Sequence, residues 1–271
     1  MQPDLSWSPT PWILASCAIV MGVYVWRWLE VRRAAGPRRA VEAPVWRLVC
    51  AVGALLVLLA ALISPLDSLA EQLFFMHMVQ HMLLLDIVPI LAIVALTKVI
   101  LRPLTRSVST LERRAGPLAH PAFAVLAYIG VIWAWHIPAA YDTAARHSGI
   151  HALEHLSFLA AGFLYWWHLL SPIRARMRLG GLGPIAYMGS TKLFVGALGM
   201  FLAFAPSTLY PFYAHQPRVW GISAGDDQAI AGLIMAVEQS LVMGIALVVL
   251  FFRALAESER AEQRRERLEV V

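Results

Sequence analysis

Long apolar runs alternate with short polar segments along the whole chain, and this alternation predicts the architecture. A membrane-crossing helix needs about 20 predominantly apolar residues. Seven runs qualify, at residues 9–28, 46–64, 73–97, 119–139, 150–171, 183–205 and 228–252. The pattern predicts an all-α integral membrane protein, a seven-transmembrane-helix bundle spanning residues 1–252. Residues 253–271 read as a charged, helix-prone cytoplasmic tail. Pro89 is expected to kink the third run. The stretch 34–44, with Pro37 and Pro44, reads as a loop. Residues 206–227, with Pro206, Pro211 and Pro217, read as a longer loop able to cap one face. No internal repeat and no Gly/Ser linker is visible.

The polar segments alternate in charge. Arg27, Arg32, Arg33, Arg38, Arg39 and Arg47 crowd the first connection; Lys98, Arg102, Arg106, Arg113 and Arg114 the third. Arg174, Arg176 and Arg178 follow the fifth run, and Arg253, Arg260, Arg264, Arg265 and Arg267 the seventh. The other connections hold Asp67, Glu71, Asp142, Asp226 and Asp227, with Arg146 and Arg218 their only arginines. Basic loops stay cytoplasmic, so the N-terminus is expected outside and the C-terminus inside. The first run follows Asp4 rather than a basic segment, so no cleavable signal peptide is expected.

Composition narrows the class. Hydrophobic residues make up 59% and charged residues 14%, well below the quarter usual for soluble domains. The net charge of +5 follows from topology and gives no reason to invoke nucleic acid. Cys17 and Cys50 lie in apolar runs at different expected depths, which argues against a disulfide framework. No catalytic triad order, phosphate loop or nucleotide fingerprint appears, so the sequence supports no enzyme role.

The chemistry lies in the histidines. On the expected topology, His77 and His81, His136, and His151 and His155 all fall in the outer third of the membrane, with His147 and His215 in flanking outer loops. The i, i+4 spacing of two pairs puts both imidazoles on one helix face. Imidazole is a common ligand for copper, zinc and haem iron. A lone membrane histidine is usually a hydrogen bonder between helices, but five polar rings at one depth need a reason. Met78 and Met82 flank the first pair. Thioethers select Cu(I), although methionine is also an ordinary filler of apolar helices. Glu154, next to His155, is a candidate outer partner. Asp86, Lys192 and Glu238 fall near the bilayer midplane, where a charge costs at least about 2.5 kcal/mol. Pairing of Lys192 with either acid would reduce that cost, as an inter-helix lock or a proton or ion relay.

Several stretches resemble the CtaG-type cytochrome c oxidase assembly factors. They are Met78-Val79-Gln80-His81-Met82-Leu83-Leu84, Trp133-Ala134-Trp135-His136-Ile137-Pro138 with Tyr141, and His151-Ala152-Leu153-Glu154-His155-Leu156-Ser157-Phe158. Tyr210-Pro211 with Tyr213-Ala214, and Asp227-Gln228 before Gly232-Leu233-Ile234-Met235, extend the match. The resemblance implies a multi-pass protein of the bacterial cytoplasmic (inner) membrane that helps to supply copper to a haem–copper oxidase. It implies oxidase subunits as partners, with periplasmic or extracellular copper chaperones. It assigns His77, His81, His136, His151 and His155 as metal ligands, with Asp227 as a further ligand or orienter. The residues alone also allow a haem-binding electron-transfer protein, a metal- or proton-coupled transporter using the midplane charges, and a metal-free scaffold for oxidase assembly.

Overall fold

Prolines set several of the helix starts. Pro11, Pro65, Pro121, Pro138 and Pro211 each occupy the first helical position, where the missing N–H costs nothing. The computed structural model describes residues 2–173, 179 and 182–269; Arg174, Arg176 and Arg178 lie outside the described residues. Those residues are helical or irregular, and no strand occurs among them. The helices are α1 (Pro11–Ala34), α2 (Arg39–Glu42), α3 (Val45–Ile63), α4 (Pro65–Gln72), α5 (Phe74–Met82) and α6 (Val88–Ala95). They continue with α7 (Thr105–Ala115), α8 (Pro121–Trp135), α9 (Pro138–Arg146), α10 (Ser148–Leu170), α11 (Gly183–Phe204), α12 (Pro211–Ala214) and α13 (Ala224–Glu269).

Five segments are long and apolar enough to cross a membrane: Pro11–Ala34, Val45–Ile63, Phe74–Ala95, Gly183–Phe204 and Ala224–Phe252. The segment Thr105–Ala119 with Pro121–Trp135 makes a sixth if that pair, bent by 68°, counts as one. The expected run 119–139 shortens because His136 caps α8 and Pro138 starts a new helix. Helix α10 is long enough, but His151, Glu154, His155 and His168 lie within it and lower its hydropathy. Helix α13 does not stop at residue 252 and runs on to Glu269.

The third run is one continuous rod with a π-helical turn, Leu83–Ile87, between α5 and α6. Pro89 has no N–H for the carbonyl of Leu85, and the ladder widens there. Helix α10 packs directly against this turn. A Cβ at Gly162 would collide with the Leu85 carbonyl and meet Pro89 Cγ at 2.9 Å, so only glycine permits the approach. Helix α13 crosses α11 just as closely: a Cβ at Gly199 would come within 2.8 Å of the Gly232 carbonyl. Helix α13 also packs on α5, α10 on α8, and α3 on α6. The resulting core contains Phe74, Met78, Tyr128, Phe158, Tyr165 and Trp166.

At one end, arginines close the carbonyls that α6 and the following turns leave free. Arg47 donates to Val94 O at 2.6 Å and to Leu96 O. Arg27 donates to Val99 O and Ile100 O at 3.1 and 3.3 Å, and Tyr24 to Ala95 O at 2.9 Å. At the other end α9, α12 and the loop around them fold inward. Tyr141, Tyr210 and Tyr213 are buried around Phe74, with ring centroids 4.6–5.4 Å from it. The 206–227 segment thus covers the end of α5, as its prolines suggested.

Candidate metal centre

The residue before helix α5, Leu73, offers no capping side chain. Asp227 supplies the cap from α13: its two carboxylate oxygens accept from Phe74 N and Phe75 N, each at 2.9 Å. A carboxylate at a helix N-terminus satisfies orphan donors and opposes the helix dipole. Asp227 therefore fixes the start of α5 one turn before His77.

His77 and His81 lie on one face of α5, and His151, Glu154 and His155 on the facing side of α10. His77 Nδ1 lies 3.0 Å from Tyr213 Oη, and that hydroxyl donates to Ala70 O at 2.6 Å. The tyrosine proton is thus committed, so His77 Nδ1–H donates to Tyr213 and His77 Nε2 carries the lone pair. Burial holds the Tyr213 phenol well above its ordinary pKa, which keeps it a neutral hydroxyl. His81 Nε2 lies 2.7 Å from His77 Nε2 and donates to it, which leaves His81 Nδ1 a buried lone pair with no partner.

Glu154 is fully buried, and neither carboxylate oxygen has a hydrogen-bond partner. Those oxygens lie 3.7 Å from His77 Nε2 and 3.6 Å from His81 Nε2. His151 Nε2 and His155 Nε2 are also buried and unpartnered. One ligand atom from each of His77, His151, Glu154 and His155 lies within 4.8 Å of the others. A buried carboxylate without donors needs a proton or a cation. Three imidazoles and a carboxylate form a donor set that suits copper or zinc. The residues present therefore fit a transition metal, with Tyr213 orienting one ligand from behind.

His136 stands apart from this set. Its Nδ1 lies 2.7 Å from Ile132 O and its Nε2 faces Met78 Sδ at 3.3 Å. Met82 is buried in the apolar core. His147 Nδ1 and His215 Nδ1 bond carbonyls one turn back, Thr143 O and Pro211 O, and His120 caps α8 by accepting from Ala122 N.

A second polar cluster lies deeper. Asp86, in the π-turn, accepts from Tyr128 Oη at 2.8 and 2.9 Å, from Trp166 Nε1 at 2.7 Å and from Gln239 Nε2 at 3.0 Å. Its donors are neutral side chains, not a lysine. Lys192 is exposed on α11 and donates to Ser240 Oγ, so the expected pairing with Asp86 or Glu238 does not form. The reason is helical phase. Thr191 and Val195 point inward, and Lys192 is rotated about 100° from Thr191. Glu238 is half-buried beside Asp86. Tyr213, Tyr128 and Trp166 do work that apolar patterning does not announce. Tyr213 appears in a resemblance motif, whereas Tyr128 and Trp166 carry no sequence signal.

Comparison with known proteins returns curated relatives and a family. An uncharacterized protein of Mycobacterium leprae (strain TN) is 24% identical over 277 residues, covering 94% of this chain and 40% of its own. An uncharacterized protein of Mycobacterium bovis is 24% identical over 251 residues, covering 85% of this chain and 37% of its own. The chain thus spans about two fifths of the length of the curated relatives it matches. No solved structure matches. The family described as cytochrome c oxidase caa3 assembly factor (Caa3_CtaG) matches residues 22–257, which include each of the motifs above, and the chain belongs to that family.

Proposed function

We propose that this protein is a copper-binding assembly factor of the bacterial cytoplasmic membrane. It holds copper at His77, His151, Glu154 and His155, with His81 beside them, and delivers it to a cytochrome c oxidase subunit. In this reading seven helices span the membrane, the N-terminus and the metal centre face outside, and α13 extends into the cytoplasm. The family supports the oxidase partnership. The unpartnered buried Nε2 atoms of His151 and His155 and the carboxylate oxygens of Glu154, converging with His77 within 4.8 Å, carry the metal reading. Copper is cargo here, so the centre must release it as well as bind it. Glu154 helps, because protonating it or a histidine weakens the donor set.

Elemental analysis of the detergent-purified protein, with an absorption spectrum on the same sample, tests this. Copper near stoichiometric in the wild type and lost in His155→Ala and in His77→Ala is the expected result. Unchanged copper in both variants would sink the centre. A Soret band would instead assign the histidines to haem. The haem alternative meets an obstacle in Glu154, which lies within 3.7 Å of two of the imidazoles, in space a macrocycle needs. Neither metal nor haem, even after loading with reduced copper, would leave a scaffold or a transporter.

A further inference from the structure

We propose that Met78 and His136 form a second, softer site for monovalent copper beside the imidazole–carboxylate centre. This rests on the copper reading above for the identity of the metal, but not on the four-residue site. The argument begins with protons. His136 caps the end of α8, and its Nδ1 lies 2.7 Å from Ile132 O. A carbonyl only accepts, so Nδ1 carries the hydrogen. A neutral imidazole has one N–H, and Nε2 therefore carries a lone pair. That lone pair is aimed at Met78 Sδ, 3.3 Å away. A thioether sulfur has no proton to give. Two lone pairs thus face each other, and both side chains are buried.

A soft cation turns this opposition into two bonds. With metal–ligand bonds of roughly 2.0 and 2.3 Å, a nitrogen and a sulfur on one tetrahedral ion stand about 3.5 Å apart. The observed 3.3 Å needs only a small opening. Thioether with imidazole selects Cu(I). The pair is also held in place. Tyr210 Oη donates to the His136 carbonyl at 3.0 Å, and Met78 follows His77 directly on α5. Tyr141 lies between the two sites, its ring centroid 5.2 Å from His77 and 6.2 Å from His136. One helix therefore carries a ligand of each site.

Copper K-edge X-ray absorption and copper stoichiometry on anaerobically loaded, purified protein test the proposal. The wild type should bind two Cu(I), with sulfur in the copper shell. Met78→Leu, a volume-conserving change, should lose one equivalent and the sulfur signal. His155→Ala should lose the other equivalent and keep the sulfur. Selenomethionine-labelled wild type gives an independent reading at the selenium edge, where copper should appear beside selenium. Copper bound by nitrogen and oxygen alone, with none beside selenium, overturns this site and leaves the four-residue centre standing. Sulfur-bound copper that His155→Ala leaves unchanged in amount does the reverse. Absence of copper from every sample removes both.

Discussion

Single side chains decide whether a lone pair faces the centre. Tyr213 fixes the tautomer of His77 by accepting its Nδ1–H while donating to Ala70. Tyr213→Phe removes both contacts and little volume. Loss of such an outer partner typically weakens metal binding by about 10–100-fold. A competition titration against a chromophoric Cu(I) chelator should show that loss, with helical content unchanged; equal affinity would mean that Tyr213 does not set the tautomer. The residue scale was only half legible. The histidines, Glu154 and Met78 announce themselves because polar or soft atoms are rare in apolar runs. Tyr213, Tyr128 and Trp166 do not, since an aromatic in an apolar segment reads as core, and their partners lie 136, 42 and 80 residues away. Lys192 misleads for the opposite reason: its place along α11 was readable, but its rotation about the helix depends on where the neighbouring helices pack.

Elements matter because the centre joins two helices that sequence does not pair. Helix α5 brings His77 and His81, and α10 brings His151, Glu154 and His155; what holds them in register is the contact of α10 with the π-turn. Gly162 makes that contact possible, since any side chain there meets the Leu85 backbone. Gly162→Ala should destabilise the protein by about 1–3 kcal/mol, as overpacking does, and should also lower copper occupancy. Thermal unfolding in detergent with copper analysis on the same preparation checks both; a variant with unchanged midpoint and full copper would show that the helices pair by other means. Prolines begin α4, α8, α9 and α12, but the apolar pattern did not mark these starts: the expected run 119–139 passes through Pro138, and 206–227 reads as a loop. The start of α5 at Phe74 agrees with the expected run 73–97, but its cap was not readable, because Asp227 lies 153 residues from Phe74. Pro89 was expected to kink the third run; a π-helical turn stands beside it, and that widened turn and its glycine partner are properties of two helices together.

At the scale of the whole molecule, the two ends differ in chemistry. Arg27, Arg32 and Arg47 tie backbone carbonyls at one end. The histidine centre lies at the other, under Tyr141, Tyr210 and Tyr213. The basic loops were the clearest large-scale signal in the chain, because charge asymmetry survives without knowledge of packing. The number of crossings was less legible, because the centre itself dilutes α10 and α8 is cut short at His136. Delivery of copper to an oxidase from outside the cytoplasm requires the histidine end to face outward, and that orientation can be read directly. In a chain carrying Cys17→Ala and Cys50→Ala, Ser207→Cys lies at the tyrosine end and Ser107→Cys at the arginine end, both exposed. A membrane-impermeant maleimide added to intact cells should label the first at once and the second only after the membrane is opened. The reverse pattern would put the centre in the cytoplasm. The imidazoles would then face the reducing interior, and the delivery reading would fail however well the centre binds copper.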